Sequence, residues 1–67
     1  MSDFKVGDRV RVLPGVNTPF VGMDGTICEV RPHEKAIETM TRHFVEFSRR
    51  EKRPFYGMEL MHVENPK

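Results

Sequence analysis

This sequence has little of what disulfide-rich, membrane-bound or metal-binding proteins need. It contains one cysteine, Cys28, no tryptophan, and no long run of apolar residues. A lone cysteine cannot form an intrachain disulfide, so the chain folds without that cross-link and a reducing compartment is favoured. The first residues lack the apolar stretch of a signal peptide, and no segment has the length and hydrophobicity of a membrane span. We therefore expect a cytoplasmic protein with no membrane association.

Motifs for catalysis or metal binding are also missing. The three histidines His33, His43 and His62 stand apart, and Cys28 has no second sulfur in a Cys-x-x-Cys arrangement. The sequence has no serine in a nucleophile elbow and no glycine-rich phosphate loop, and its carboxylates are scattered singly. We expect no enzyme activity, no cofactor and no metal, with Cys28 as a small apolar residue in a strand.

Charge of one sign is not in large excess along the whole chain. Eleven Lys and Arg face ten Asp and Glu, for a formal net charge of +1. Between Thr41 and Arg53, however, five basic residues face two acidic ones, a local excess of 5 − 2 = +3. This basic segment is where charge could select a partner, although a solvated surface loop would have the same composition.

The 67 residues of the chain are enough for one small domain. A domain of this size buries only about 60% of the surface that its unfolded chain exposes, which leaves it marginally stable without support. Binding to a partner is one way to supply that support, and the composition offers neither a disulfide nor a metal site in its place.

Alternation of apolar and polar residues predicts short strands. Val10 and Val12 are expected to face one side of a first strand at residues 8–12. Two prolines, a glycine and an asparagine then predict a loop at 13–19. The Asp24-Gly25 pair predicts a tight turn that leads into a second strand at 25–31.

The segment 33–42 fits two structures. Ile37 and Thr39 alternate as in a strand, which would make 33–35 the tip of a hairpin, whereas Ile37 and Met40 have helical spacing. We favour the strand and keep a short helix as the alternative. A strand from Arg42 through residue 47 follows in either case.

The last third of the chain predicts a polar connection and then a final apolar segment. Residues 48–54 are too charged to be part of a core. Gly57 is expected to bend the chain, and Leu60 and Val63 have the spacing of a single 3-10 turn before a short last strand.

Four or five short strands with no long helix predict an all-β domain. A small closed or nearly closed barrel is the economical way to hide the edges of its sheet. We place the barrel at residues 4–64 and expect flexible termini at 1–3 and 65–67.

Three strings in the sequence resemble a known motif. They are Gly7-Asp8-Arg9-Val10-Arg11-Val12, Gly22-Met23-Asp24-Gly25-Thr26-Ile27 and Glu29-Val30. Together they resemble the KOW motif of SH3-like barrels in transcription and ribosomal proteins. The first string is also similar to the accessory barrels of the ferredoxin-thioredoxin reductase variable chain and the nitrile hydratase β subunit. The resemblance implies an SH3-like barrel of about five short strands with a single 3-10 turn before the last strand.

The resemblance leaves two classes of partner. The accessory barrels imply a non-catalytic module that docks on a larger protein or complex as a subunit or regulator, and the loop at 13–21, longer than in a compact KOW motif, favours this function. The KOW motif implies an RNA- or DNA-binding protein in transcription or translation. Phe20 is expected either to plug one end of the barrel or to anchor a partner.

For both classes we expect the same partner-binding residues. Arginines and lysine would supply charge, and aromatic rings would stack on bases or fill pockets of a protein partner. The candidate residues are Phe20, Arg42, Arg49, Arg50, Lys52, Arg53, Phe55 and Tyr56.

Overall fold

A computed structural model describes residues 4–35 and 37–63 of the chain. Within these residues the chain forms five antiparallel strands and two short 3-10 helices, so the domain is all-β. The strands are β1 (Arg9–Val12), β2 (Asp24–Arg31), β3 (Arg42–Glu46), β4 (Lys52–Tyr56) and β5 (Leu60–His62). The termini that we expected to be flexible, 1–3 and 65–67, lie outside the described residues.

The five strands form one sheet in the order β4-β3-β2-β1-β5. Its two edge strands, β4 and β5, follow each other in the chain, with only Gly57–Glu59 between them. The four Cα-to-Cα steps from Tyr56 to Leu60 can span at most about 14 Å, whereas the edges of a flat five-stranded sheet lie about 19 Å apart. The sheet therefore curls on itself, with a shape that is compatible with a small barrel-like fold.

The core lies on the inner face of this curled sheet. Arg9–Val12 follows the predicted alternation, because both valines are fully buried and Arg11 is exposed. The buried apolar residues are Val10, Val12, Ile27, Val45, Phe47, Phe55 and Leu60. Phe20 packs against this cluster and is partly buried.

The turn before β2 lies earlier than the sequence predicted. Asp24 and Gly25 are already paired with Arg11 and Val10 of β1, so the tight turn expected at Asp24-Gly25 is wrong. Gly22, with a φ of 77°, has the left-handed conformation that turns require. Gly25 is needed for a different reason: a Cβ atom there would lie 2.8 Å from the carbonyl oxygen of Glu46.

The segment 33–42 does not extend the β2–β3 hairpin, and the favoured strand is wrong there. β2 ends at Arg31, just before Pro32, which has no N–H for the ladder. A single 3-10 turn, Glu38–Met40, follows, in which the Met40 N–H donates to the Ile37 carbonyl at 3.0 Å. The helical alternative is therefore nearer to the structure, and the described loop leaves Ile37 and Met40 exposed.

β4 includes three residues that the sequence assigned to a polar connection. Lys52, Arg53 and Pro54 belong to this edge strand, so the connection between β3 and β4 is only 47–51. Pro54 is tolerated because an edge strand has one row of backbone groups without a neighbouring strand. The Tyr56 N–H donates to the Glu59 Oε1 atom at 2.8 Å.

Pro54 and the hydrogen bond between Tyr56 and Glu59 hinder the pairing of β4 with a further strand. Pro54 offers no N–H, and a side chain already satisfies the N–H of Tyr56. The other edge strand, β5, is only three residues long. The predicted 3-10 turn before the last strand is confirmed at Gly57–Glu59.

The residues before β1 are fastened to β5. The Lys5 N–H donates to the Asp8 Oδ2 atom at 3.0 Å, and the His62 Nε2 atom lies 3.0 Å from the same oxygen. The Phe4 ring stacks on His62 with centroids 4.4 Å apart and meets the buried His43 ring edge-on at 5.3 Å. The His43 Nδ1 atom lies 3.2 Å from the Phe55 carbonyl, which can only accept, so this nitrogen carries the proton.

The Asp8 contacts predict an acid-sensitive part of the stability. The backbone N–H of Lys5, and then His62, lower the pKa of Asp8 below its ordinary value of 3.8. A carboxyl group with a lowered pKa stabilises the fold above its ordinary pKa, and this contribution is lost as the pH falls through the folded-state value. We expect Asp8→Asn to lower the melting temperature by about 2–4 °C at pH 6.

This difference should shrink in thermal melts as the pH falls through the folded-state pKa of Asp8, because both proteins then carry a neutral side chain at position 8. Glu34→Gln is the matched control, since Glu34 is exposed and makes no ion pair among the described residues. A difference that stays constant from pH 6 to pH 2 would contradict the role of the Asp8 charge.

Candidate binding surface

The sheet divides the eight predicted partner-binding residues into two groups. Lys52 and Tyr56 stand at opposite ends of β4, four residue steps or about 13 Å apart. One group lies around the turn between β3 and β4. The other lies beside the β2–β3 loop, at the far end of the same strands.

The first group forms a basic tip, which we define as Arg49, Arg50, Lys52 and Arg53. Arg49 and Arg50 are exposed on the turn between β3 and β4, and Lys52 and Arg53 begin β4. Arg50 has a φ of 62°, the left-handed conformation that glycine or asparagine adopts with less strain. The Arg53 guanidinium lies 3.5 Å from the Glu51 carboxylate.

Phe20 lies beside the basic tip and closes one end of the core. Its ring stacks on Phe47 with centroids 4.5 Å apart and an interplanar angle of 17°. The guanidinium of Arg53 covers its ring, with the Cζ atom 5.5 Å from the centroid. Packing below and Arg53 above leave little of the ring for a partner.

Phe55 and Tyr56 point to opposite faces of β4. Phe55 is 5% exposed and belongs to the core, so its ring is not available for stacking on a ligand. Tyr56 is partly buried and pairs across the strands with Arg42 of β3. Of these two neighbouring aromatics, Tyr56 is therefore the one at the outer surface.

A row of side chains crosses the outer face beside Tyr56. Tyr56, Arg42 and Arg31 are register partners on β4, β3 and β2, and Arg42 and Arg31 are both exposed. The Arg31 Nε atom pairs with the Glu29 carboxylate, and its guanidinium lies 5.0 Å from the centroid of the Phe44 ring.

Two shallow depressions meet at Arg42. One, of about 210 Å³, is lined by Arg42, Pro54, Phe55 and Tyr56. The other, of about 280 Å³, is lined by Arg31, Pro32, His33, Glu34, Met40 and Arg42. We call the surface formed by Arg31, Pro32, Met40, Arg42, Pro54 and Tyr56 the arginine groove.

Four of these groove residues were not among the sequence-based candidates. They are Arg31, Pro32, Met40 and Pro54. The sequence placed Arg31 and Pro32 at the end of a strand. Unbroken alternation from the buried Ile27 would have put Arg31 on the inner face, and only the register shift between Ile27 and Glu29 brings it to the outer face. Met40 required the loop conformation, and Pro54 required the knowledge that β4 begins at Lys52.

Several cations of the arginine groove and the basic tip have no carboxylate partner among the described residues. Across residues 4–35 and 37–63, no ion pair involves Arg42, Arg49, Arg50 or Lys52. Arg11 shows the contrast, because its Nε atom lies 2.6 Å from the Asp24 carboxylate. That contact lowers the pKa of Asp24 and raises the pKa of Arg11.

The part of the chain that the structure describes contains no group of three or more His, Cys, Asp or Glu that could hold a metal ion. Cys28 is partly buried, and its thiol lies 3.4 Å from the Phe44 carbonyl oxygen, to which it donates. No helix in these residues is long and apolar enough to cross a membrane. Comparisons of the chain with family models, curated proteins and solved structures gave no match.

Proposed function

We propose that this chain is a non-catalytic binding module that docks on a larger protein or complex as an accessory subunit or regulator. The arginine groove is its docking surface. The observation that carries this proposal is the exposed guanidinium of Arg42, which has no carboxylate partner among the described residues and lies between two depressions.

The composition of the groove favours a protein partner. Arginine, tyrosine and methionine are enriched in protein–protein interfaces, and arginine and tyrosine are frequent among the residues that contribute most to affinity. Arg42 and Tyr56 stand on neighbouring strands of one sheet, which holds them in a fixed arrangement. A rigid surface loses little conformational entropy on binding, so more of the contact energy contributes to affinity.

An SH3-like barrel with a KOW-like motif is part of this proposal. The chain order supports it, since four strands pair consecutively and the fifth returns to pair with β1. The motif-like string begins at Gly7, which has a φ of 97°, and its second part begins at Gly22 in the turn before β2. A cytoplasmic location is also part of this proposal, and the single cysteine, Cys28, which suits a reducing compartment, supports it.

The basic tip supports a second candidate function, binding to RNA or DNA. Arg49, Arg50 and Lys52 have no carboxylate partner in the described part of the chain and would contact phosphates. Arg50 keeps a left-handed conformation, and backbone strain of this kind is often found at functional sites. Phe20 and Phe55 contribute little to stacking in this structure, which is why we place this candidate second.

The test of the proposal is affinity capture from a lysate of the source cells with three forms of the protein. These are the unchanged chain, Arg42→Glu in the arginine groove and Arg50→Glu in the basic tip. The last two make the same change of charge at two exposed arginines. We expect the unchanged chain and Arg50→Glu to retain the same protein, and Arg42→Glu to lose it by at least about tenfold, since the reversed charge repels the partner.

Nuclease treatment of the lysate distinguishes the two candidate functions. Capture that persists after nuclease digestion and depends on Arg42 supports protein docking. Capture that disappears after digestion, and that Arg50→Glu weakens instead, would replace it with the nucleic-acid function. Binding to nucleic acid would also weaken steeply with salt, because each neutralised phosphate releases counterions.

A further inference from the structure

We infer that the arginine groove binds an extended acidic peptide segment of the partner protein. A carboxylate of this segment lies on Arg42, and apolar side chains two residues before and after it lie in the two depressions. This inference rests on the proposed docking function and specifies the chemistry of the ligand.

The charges around the groove leave a place for one carboxylate, at Arg42. Arg42 has no acidic partner in the described residues, whereas Arg31 already pairs with Glu29. Glu34 lines the second depression and reduces the positive charge there. With Glu34 included, the formal charges around the groove sum to zero, so the attraction is confined to the guanidinium of Arg42, which has room for a single carboxylate. A carboxylate suits this position because it can accept two parallel hydrogen bonds from a guanidinium.

The same charges make a chain of phosphates a poor ligand for this groove. A nucleic-acid backbone would bring one negative charge per nucleotide past the carboxylates of Glu29 and Glu34. The unpaired cations that could balance such a chain lie on the basic tip, at the other end of β4.

The apolar lining lies on both sides of Arg42. Pro54 and Tyr56 form one wall, and Pro32 and Met40 form the other, where Met40 is 42% exposed. An exposed methionine beside prolines presents apolar surface that a partner side chain can cover. The groove is thus apolar at both ends and positively charged in the middle.

The size of the groove sets the length of the peptide. Tyr56, Arg42 and Arg31 cross three strands, which is two inter-strand spacings or about 10 Å. An extended pentapeptide spans about 13 Å between its first and last Cα atoms, and its first, third and fifth side chains point to the same face. The pattern that fits is apolar, any residue, Asp or Glu, any residue, apolar.

The peptide must lie across the face of the sheet and not along its edge. A peptide that added a strand to β4 would need the backbone groups of Pro54 and Tyr56. Pro54 has no N–H, and the Tyr56 N–H is bonded to Glu59. The groove is left as the recognition surface on this side of the molecule.

The test uses two pools of synthetic pentapeptides and one oligonucleotide in NMR titrations of the isotope-labelled full chain. The acidic pool has Asp or Glu at its third position, apolar residues at both ends, and serine between them. The matched neutral pool has Asn or Gln at the third position. The oligonucleotide is hexauridylate.

We expect the acidic pool to cause saturable shifts of the amides of Arg31, Met40, Arg42 and Tyr56, and the neutral pool to bind about tenfold more weakly. Arg42→Glu should remove these shifts, and Arg50→Glu should leave them unchanged. Equal binding of both pools would overturn the role of the carboxylate, and larger shifts with hexauridylate would overturn the peptide ligand.

Failure of this inference can be told apart from failure of the proposed function. If the acidic pool causes no saturable shift while protein capture from the lysate still depends on Arg42, docking stands and the acidic pentapeptide is wrong. If capture from the lysate does not depend on Arg42 either, the docking function of the groove fails as well.

Discussion

Replacing Gly25 with alanine is expected to destabilise the domain by about 3 kcal/mol or more, because the inner face of the sheet has no room for a methyl group there. A Cβ atom at this position would lie 2.5 Å from the Val45 Cγ1 atom and 2.8 Å from the backbone oxygen of Glu46. A side chain can rotate away, but the Glu46 oxygen moves only if β3 moves. The melting temperature in differential scanning calorimetry should fall by about 12–24 °C.

Gly57→Ala is the matched control for this change. A Cβ atom at Gly57 would meet the His43 and Phe4 rings at 3.6 Å, an ordinary van der Waals distance. We expect a change in melting temperature of no more than about 4 °C for this variant, in either direction. Equal effects at the two glycines would mean that β2 and β3 do not approach each other as described.

Phe47→Ala is expected to cost about 3–5 kcal/mol, which is the usual effect of removing a buried aromatic ring. Phe47 is 4% exposed, stacks on Phe20, and meets the Phe55 ring edge-on with centroids 6.1 Å apart. A domain of this size has about 3–10 kcal/mol of stability in total. Urea denaturation should therefore show the variant close to unfolding even without denaturant.

Phe44→Ala is the matched comparison for Phe47→Ala, because it removes the same kind of side chain from a less buried position. Phe44 is on the outer side of β3, partly buried, and covered by the Arg31 guanidinium. Its removal should cost about 1 kcal/mol, the loss of a cation–π contact and part of its buried surface. A larger loss at Phe44 than at Phe47 would show that the inner and outer faces have been assigned the wrong way round.

The sequence predicts the parts of the fold that depend on local patterns. Val10 and Val12 alternate with arginines, and this alternation is enough to place β1 and its buried face. Gly57 was expected to bend the chain, and the 3-10 turn forms there, at Gly57–Glu59. The spacing of Leu60 and Val63, which also suggested a turn, belongs instead to the last strand and the residue after it. These features do not depend on distant residues.

The errors arise where tertiary contacts decide. Asp24-Gly25 has the composition of a tight turn, but pairing with Arg11 and Val10 draws both residues into β2. The absence of a side chain at Gly25 serves close packing against β3, which the sequence does not reveal. At Lys52–Pro54, the polar composition concealed an edge strand, since an edge strand can leave much of its surface in water.

The candidate site shows the same division. The sequence located Arg42 and Tyr56, whose types are frequent at interfaces, but it also selected Phe55, which belongs to the core. The alternation of β4 separates Phe55 from Tyr56, and that alternation could not be counted before the start of the strand was known. The depression beside Met40 depends on the path of the β2–β3 loop. The sequence did not predict that path, because the pattern of residues 33–42 fits both a strand and a helix.

Hydrogen–deuterium exchange of the purified complex between this chain and its captured partner tests the central claim most directly. If the arginine groove is the docking surface, the partner should slow exchange at the described amides of 31–35, 40–42 and 55–56 and leave 49–53 unchanged. Slower exchange confined to 49–53, or no change in either region, would contradict docking through the groove.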